Sequence, residues 1–211
     1  MIAIAMLGWF ALGLQLSLTL KLSLANGQTL VHGVVTFFSY FTILTNLLAA
    51  SVLTFALLAP SFRLSELCSR PMVQTGTAVY IAVVGVAYSL LLRHIWDPQG
   101  LQRLADILLH DAIPLLFVMY WVVFVSNNAL RWSDAFRWLG FCFAYFVYST
   151  VRGAFTAWYA YPFLDANEVG YARMFVNAIL LLGAFLIVGL LAVAFTRWRT
   201  VRAGSAAAAQ G

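Results

Sequence analysis

Residues 174–196 read MFVNAILLLGAFLIVGLLAVAFT, an uncharged run whose single amide is Asn177. At 1.5 Å per helical residue this run covers about 34 Å, enough to cross the ~30 Å hydrocarbon layer of a bilayer. Outward from it, five more apolar segments have comparable length: 4–20, 37–59, 73–92, 108–126 and 138–158. Their separators carry turn residues: Asn26-Gly27, Pro60-Ser61, Asp97-Pro98-Gln99-Gly100, Ser126-Asn127-Asn128, and Tyr161-Pro162 through Gly170. The pattern predicts an all-α fold, a polytopic six-transmembrane-helix bundle over residues 1–200. The low-complexity tail 201–211 is expected to be disordered.

Composition agrees. Of 211 residues, 64% are hydrophobic and only 9% are charged, which cannot clothe a soluble domain. A cytosolic enzyme, a secreted disulfide scaffold and a disordered chain are excluded. The net charge of +5, from 12 basic and 7 acidic residues, is scattered rather than gathered into a nucleic-acid-binding face. Ser23-Leu24-Ala25 looks like a signal-peptide cleavage site. However, no basic residue precedes the first apolar run, which is longer than a usual signal core, so that run reads as a retained helix.

Counting Lys and Arg by side sets the orientation. One side holds Arg63, Arg70, Arg131, Arg137, Arg197, Arg199 and Arg202; the other holds Lys21, Arg93, Arg103 and Arg173. Both termini are therefore expected in the cytoplasm, with the protein multi-pass in a cell membrane. Cys68 and Cys142 would then lie in reducing surroundings as free thiols.

Polar side chains inside apolar helices mark the candidate site. Ser39, Thr42, Thr45 and Asn46 recur at helical spacing and predict one stripe on the second span. Such a stripe also suits a helix-packing seam, as does the small pair Gly140 and Ala144. Asp106 and His110, four apart, share a face, with Asp111 alongside. Arg152 is the costliest residue in lipid and calls for a carboxylate, Asp111 or Asp165. Thr42, His110, Arg152 and Asn177 are all expected in the outer half of the bilayer, Thr42 at about 8 Å depth. A shared pocket accounts for that common depth, with Tyr159 among its polar members.

A threonine hydroxyl becomes a nucleophile when a histidine takes its proton, and Asn46, Arg152 or a tyrosine could stabilise the oxyanion. His32, His94 and His110 lack zinc-ligand spacing, and there is neither a glycine-rich nucleotide loop nor a G-x-S-x-G elbow. No metal or cofactor is expected.

Four strings carry a family resemblance: Phe38-Ser39-Tyr40-Phe41-Thr42-Ile43-Leu44-Thr45-Asn46, His110-Asp111-Ala112-Ile113-Pro114, Arg152-Gly153, and Trp158-Tyr159-Ala160-Tyr161-Pro162-Phe163-Leu164-Asp165. With six spans, they resemble the bacterial Pr-six-Pr membrane proteins. That group is similar to the eukaryotic androgen-induced-gene hydrolases, Thr/His enzymes that cleave fatty acid esters of hydroxy fatty acids. The resemblance covers the second to sixth spans. It implies Thr42 as nucleophile and His110, ahead of Pro114, as base. Here the histidine-to-proline spacing is one residue shorter than in the eukaryotic members, and Asn46 stands where they have an acidic residue. Thr45 therefore remains a rival nucleophile.

The resulting expectation is an intramembrane hydrolase of a lipid-like ester, with membrane lipids as its surroundings. Thr42 and His110 would be catalytic, Asp106 or Asp111 orienting, and Ser39, Thr45, Asn46, Arg152, Tyr159 and Asp165 supporting. The alternatives are a non-catalytic lipid or small-molecule binder or transporter using the same pocket, or a structural partner needing no pocket.

Overall fold

The computed structural model describes residues 1–57, 63–125 and 130–208. Helix makes up 87% of the structure, and no strand occurs among the described residues. The expected turns at Pro60-Ser61 and Ser126-Asn127-Asn128 lie outside the described residues, as does the end of the expected tail, 209–211. Contacts divide the chain into two compact units, Met1–Val125 and Ser126–Gly211.

The first unit begins with α1 (Ile2–Ala25), which ends at Asn26 before Gly27, a glycine at φ 71° where the chain reverses. Helix α2 (Leu30–Phe38) is capped by Thr29, whose hydroxyl accepts from the His32 N–H. Then come α3 (Phe41–Ala56), the short α4 (Arg63–Ser69) and α5 (Pro71–Ala87), the last with proline in its first turn. A π-helical turn, Tyr88–Leu92, extends α5. Helix α6 (Gly100–Ile107) passes through a second π-helical turn, Leu108–Ala112, into α7 (Ile113–Phe124). The second unit contains α8 (Trp132–Thr156), a 3-10 turn at Pro162–Leu164 and α9 (Ala166–Ala208). Gly170, at φ 74° and ψ 154°, interrupts α9 near its start.

Within the first unit α1 packs on α3 where Gly8 faces Ala50, and Trp9 Nε1 donates to Thr54 Oγ1 at 2.9 Å. Gln102 Nε2 reaches from α6 to Gln15 Oε1 of α1 at 2.9 Å. Between α5 and α7, Trp121 Nε1 donates to Thr75 Oγ1 at 2.9 Å. In the second unit, Gly189 of α9 lies against Ala135 and Trp138 of α8. A Cβ added at Gly140 of α8 would meet nothing within 4 Å among the described residues of the second unit. Large apolar side chains face outward, among them Phe155 at 86% and Phe124 at 71% exposure. Water would penalise such a surface, whereas lipid solvates it.

Four helical stretches are long and apolar enough to cross a membrane: Ile2–Ala25, Pro71–Leu92, Gly100–Phe124 and Ala166–Arg202. A fifth is reached if Leu30–Phe38 and Phe41–Ala56, bent by 77°, form one broken span. The expected continuous helix over 37–59 is thus corrected to two helices meeting at Ser39–Tyr40. Ser39 Oγ donates to the Val35 carbonyl at 2.6 Å, and Tyr40 adopts an extended ψ of 126°. Serine and threonine that bind local backbone compete with helix continuation, and aromatic neighbours add crowding. The fifth expected span, 138–158, corresponds to α8, which has 25 residues but is diluted by Tyr145, Tyr148, Ser149, Thr150 and Arg152.

Candidate functional site

In the first unit the polar residues converge on the two π-helical turns. Tyr88 and His110 lie one in each turn, with ring centroids 3.9 Å apart and planes at 15°. Tyr88 Oη donates to Asp106 Oδ2 at 2.5 Å. His110 Nδ1 lies 3.1 Å from the other carboxylate oxygen, Asp106 Oδ1, and 3.0 Å from the Asp106 carbonyl. Both neighbours of Nδ1 are acceptors, so in the neutral ring Nδ1 carries the proton and Nε2 is left basic. Asp106 is 6% exposed, and its two oxygens are divided between Tyr88 and His110.

Asp111 has a different partner. It pairs with Arg93 at the half-exposed edge of the cluster, and the Arg93 guanidinium lies 5.1 Å from the Tyr88 ring centroid. Of the two carboxylates expected to orient His110, Asp106 does so and Asp111 does not. The sequence reading does not include Tyr88 and counts Arg93 only toward the orientation. A tyrosine within an apolar helix needs a partner for its hydroxyl, and that was the available signal.

The second π-helical turn explains Asn46. The Ile113 N–H bonds the Leu108 carbonyl, and Pro114 has no N–H to offer the next one. The Leu109 carbonyl instead accepts from Asn46 Nδ2 at 3.1 Å. The same nitrogen donates to the Thr42 carbonyl at 2.9 Å, so one amide links the start of α3 to the turn that carries His110. Both N–H groups of Asn46 are therefore engaged with carbonyls, which removes it as an oxyanion donor. Its Oδ1, fully buried, has no hydrogen-bond partner among the described residues. Gly85 lets α5 approach this turn, since a Cβ there would stand 3.0 Å from the His110 carbonyl oxygen.

Thr42 is the second residue of α3 and 7% exposed, closer to a helix end than the expected 8 Å depth implies. Thr45 is completely buried and donates its hydroxyl proton to the Thr42 carbonyl at 3.0 Å. Ser39 belongs to the end of α2, so the expected four-residue stripe reduces to Thr42, Thr45 and Asn46 on α3.

Arg152, Tyr159, Asp165 and Asn177 belong to the second unit. Within the second unit Arg152 does not pair with Asp165, while Asp111 of the first unit is held by Arg93. Asp165 accepts from the Asn167 N–H at 2.8 Å, whereas Arg152 lies over the Trp158 indole at 4.1 Å and reaches the Trp158 carbonyl at 3.4 Å. The turn that brings Trp158 back begins at Ala157, in the left-handed conformation at φ 53°, and Asn167 Nδ2 fixes the Ala157 carbonyl at 3.2 Å. Asn177 Nδ2 holds the Phe163 carbonyl at 2.8 Å, tying the 3-10 turn to α9. Gly153 faces the Tyr159 ring so closely that no Cβ would fit, which explains a glycine beside Arg152. Burial, with a hydrogen bond to Tyr171 and the nearby Asp165 charge, pushes the Tyr159 phenol up from its ordinary value.

The chain matches no family model, no curated protein and no solved structure.

Proposed function

We propose that the chain is a six-span bacterial plasma-membrane protein of the Pr-six-Pr type, with both termini cytoplasmic, that hydrolyses lipid esters through Thr42 and His110. The observation that carries this reading is the Asp106–His110 pair, with the ring proton held on Nδ1. Such an arrangement leaves Nε2 as the ring nitrogen able to accept a proton, as a general base must. The Asn46 amide, bonded to both the Thr42 and Leu109 carbonyls, supports a Thr42 position near that base.

In the proposed reaction His110 Nε2 takes the Thr42 hydroxyl proton as Oγ1 attacks the ester carbonyl. The alkoxide of the departing alcohol then takes that proton from the imidazolium, leaving an acyl-threonine. Water, deprotonated by the same nitrogen, attacks the acyl carbon, and as the bond to Thr42 Oγ1 breaks the imidazolium returns the proton to that oxygen, releasing the fatty acid. Asp106 supports the transient imidazolium throughout. Thr42 sits in the first turn of α3, where the positive end of the helix dipole favours developing negative charge. Thr45, completely buried with its hydroxyl donated to the Thr42 carbonyl, is the rival nucleophile.

The test is turnover of a fluorogenic acyl ester by the purified protein, together with labelling by a fluorophosphonate. Thr42→Ala and His110→Ala are expected to abolish both while the protein stays folded, and Thr45→Ala to retain them. Unchanged turnover in the first two variants overturns the reading.

A further inference from the structure

We propose that Arg152 and Trp158 form a site for the phosphate of an anionic phospholipid, at the membrane face where α8 ends. The inference rests on the membrane reading of the second unit and is independent of the proposed catalysis.

Position comes first. Twenty residues separate Trp132 from Arg152 along α8, about 30 Å at 1.5 Å per residue, which matches the hydrocarbon thickness. The Trp132 end carries Arg197 over the Trp132 ring at 5.7 Å and Arg202 over Trp198 at 4.3 Å. Arg131, Arg137 and Arg199 lie in the same two terminal stretches. Tryptophan and arginine together at a helix end mark a headgroup region, and the density of arginine marks this one as cytoplasmic. Arg152 with Trp158 is the counterpart at the other end. Arg152 is therefore better described as an interfacial cation than as a mid-bilayer charge.

Chemistry comes second. Arg137 is neutralised by Asp134 at 2.9 Å, and Arg197 donates to the Leu130 carbonyl at 3.2 Å. Arg152 has no carboxylate partner among the described residues of the second unit. Of its five N–H donors, the carbonyl of Trp158 takes one at the long distance of 3.4 Å. The Trp158 ring, its centroid 4.1 Å from the guanidinium carbon, covers one side of the cation and has no acceptor for its N–H donors, which are left to a ligand. A planar fork with open donors matches the paired oxygens of a phosphodiester. The position is fixed by backbone: the left-handed Ala157, the Asn167 bond to its carbonyl, and the Thr156 hydroxyl bonded to the Arg152 carbonyl at 2.8 Å. The site is built before any lipid arrives.

The experiment uses the full chain in nanodiscs, with retained lipid counted by native mass spectrometry. Wild type is expected to retain phosphatidylglycerol over phosphatidylcholine. Arg152→Gln should lose that preference by about tenfold, the scale of one charge-assisted hydrogen bond. Arg152→Lys, which keeps the charge without the planar fork of donors, should fall between the two and serves if the glutamine variant does not fold. Arg173→Gln, on exposed α9 surface, should behave as wild type. Equal retention by wild type and the Arg152 variants, or an equal loss in Arg173→Gln, overturns the proposal. Dissolved inorganic phosphate supplied to phosphatidylcholine discs separates the two sources of the anion. If it raises the unfolding midpoint as much as phosphatidylglycerol does, and only with Arg152 present, the ligand is a free anion and the lipid assignment fails.

Discussion

The Asn46 side chain completes a hydrogen bond for the Leu109 carbonyl that helix geometry leaves open, because Ile113 bonds one residue further back and Pro114 has no donor. Removing the amide strands a buried acceptor, at a cost of about 1–3 kcal/mol. Asn46→Ala is expected to lower the unfolding midpoint, while Pro114→Ala supplies a new N–H close to the orphaned carbonyl. The double variant should lose less than the two single losses combined, and strict additivity in thermal unfolding would argue against the link.

Tyr88 contributes to the cluster in two separable ways. Tyr88→Phe keeps the ring stacked on His110 but removes the bond to Asp106, while Tyr88→Leu removes both. Stability in detergent should fall in that order, the first step by about 1.5–3 kcal/mol, as for a hydrogen bond to a charged group. If the proposed chemistry holds, turnover should fall with Tyr88→Phe, because Asp106 is then free to shift away from His110. Equal unfolding midpoints for wild type and both variants would refute the structural role.

Gly153→Ala places a methyl group in the Tyr159 ring. Overpacking of this kind costs about 1–3 kcal/mol. The expected result is a lower unfolding midpoint and faster proteolysis in the 157–165 loop. Gly140→Ala, which meets nothing within 4 Å, is the matched control and should behave as wild type.

Cys68 is a buried thiol on α4, and burial pushes its pKa above the ordinary value. Only the thiolate is alkylated, so iodoacetamide should modify Cys68 in the folded protein more slowly than in denatured protein at the same pH. The linkage has a definite sign. The unfolded chain loses its thiol proton first as pH rises, so this group's contribution to stability is present below the ordinary thiol pKa and declines above it. Equal alkylation rates in the folded and denatured protein would contradict the burial of this thiol.

The helical class and the apolar runs were legible because apolar length is a direct physical requirement of the bilayer. The break at Ser39–Tyr40 was not, since neither glycine nor proline marks it and only local side-chain bonds betray it. The π-helical turns were equally hidden. A shift from i→i+4 to i→i+5 bonding leaves no residue pattern except, in the second turn, Pro114. That concealment also explains why Asp106 and Asp111 could not be told apart as partners for His110. Asp106 and His110 were readable as neighbours because they are four apart on one helix, whereas Tyr88 is distant in sequence and joins them only through packing. Arg152 was read as a charge needing a carboxylate because the end of α8 was placed at Trp158, two residues beyond Thr156.

The sharp bend between α2 and α3 has a consequence for the bilayer itself. Helix α3 rises only about 24 Å in 16 residues, and α2, turned by 77°, adds about 3 Å along the same direction. If the pair forms one broken span, its described residues fall a few ångströms short of a ~30 Å hydrocarbon layer, and a short span draws the surrounding lipid inward. The leaflet is expected to dimple over Ser39–Tyr40. Headgroups and their hydration water then reach the first turn of α3, where an acyl-threonine at Thr42 would need a water molecule to be released.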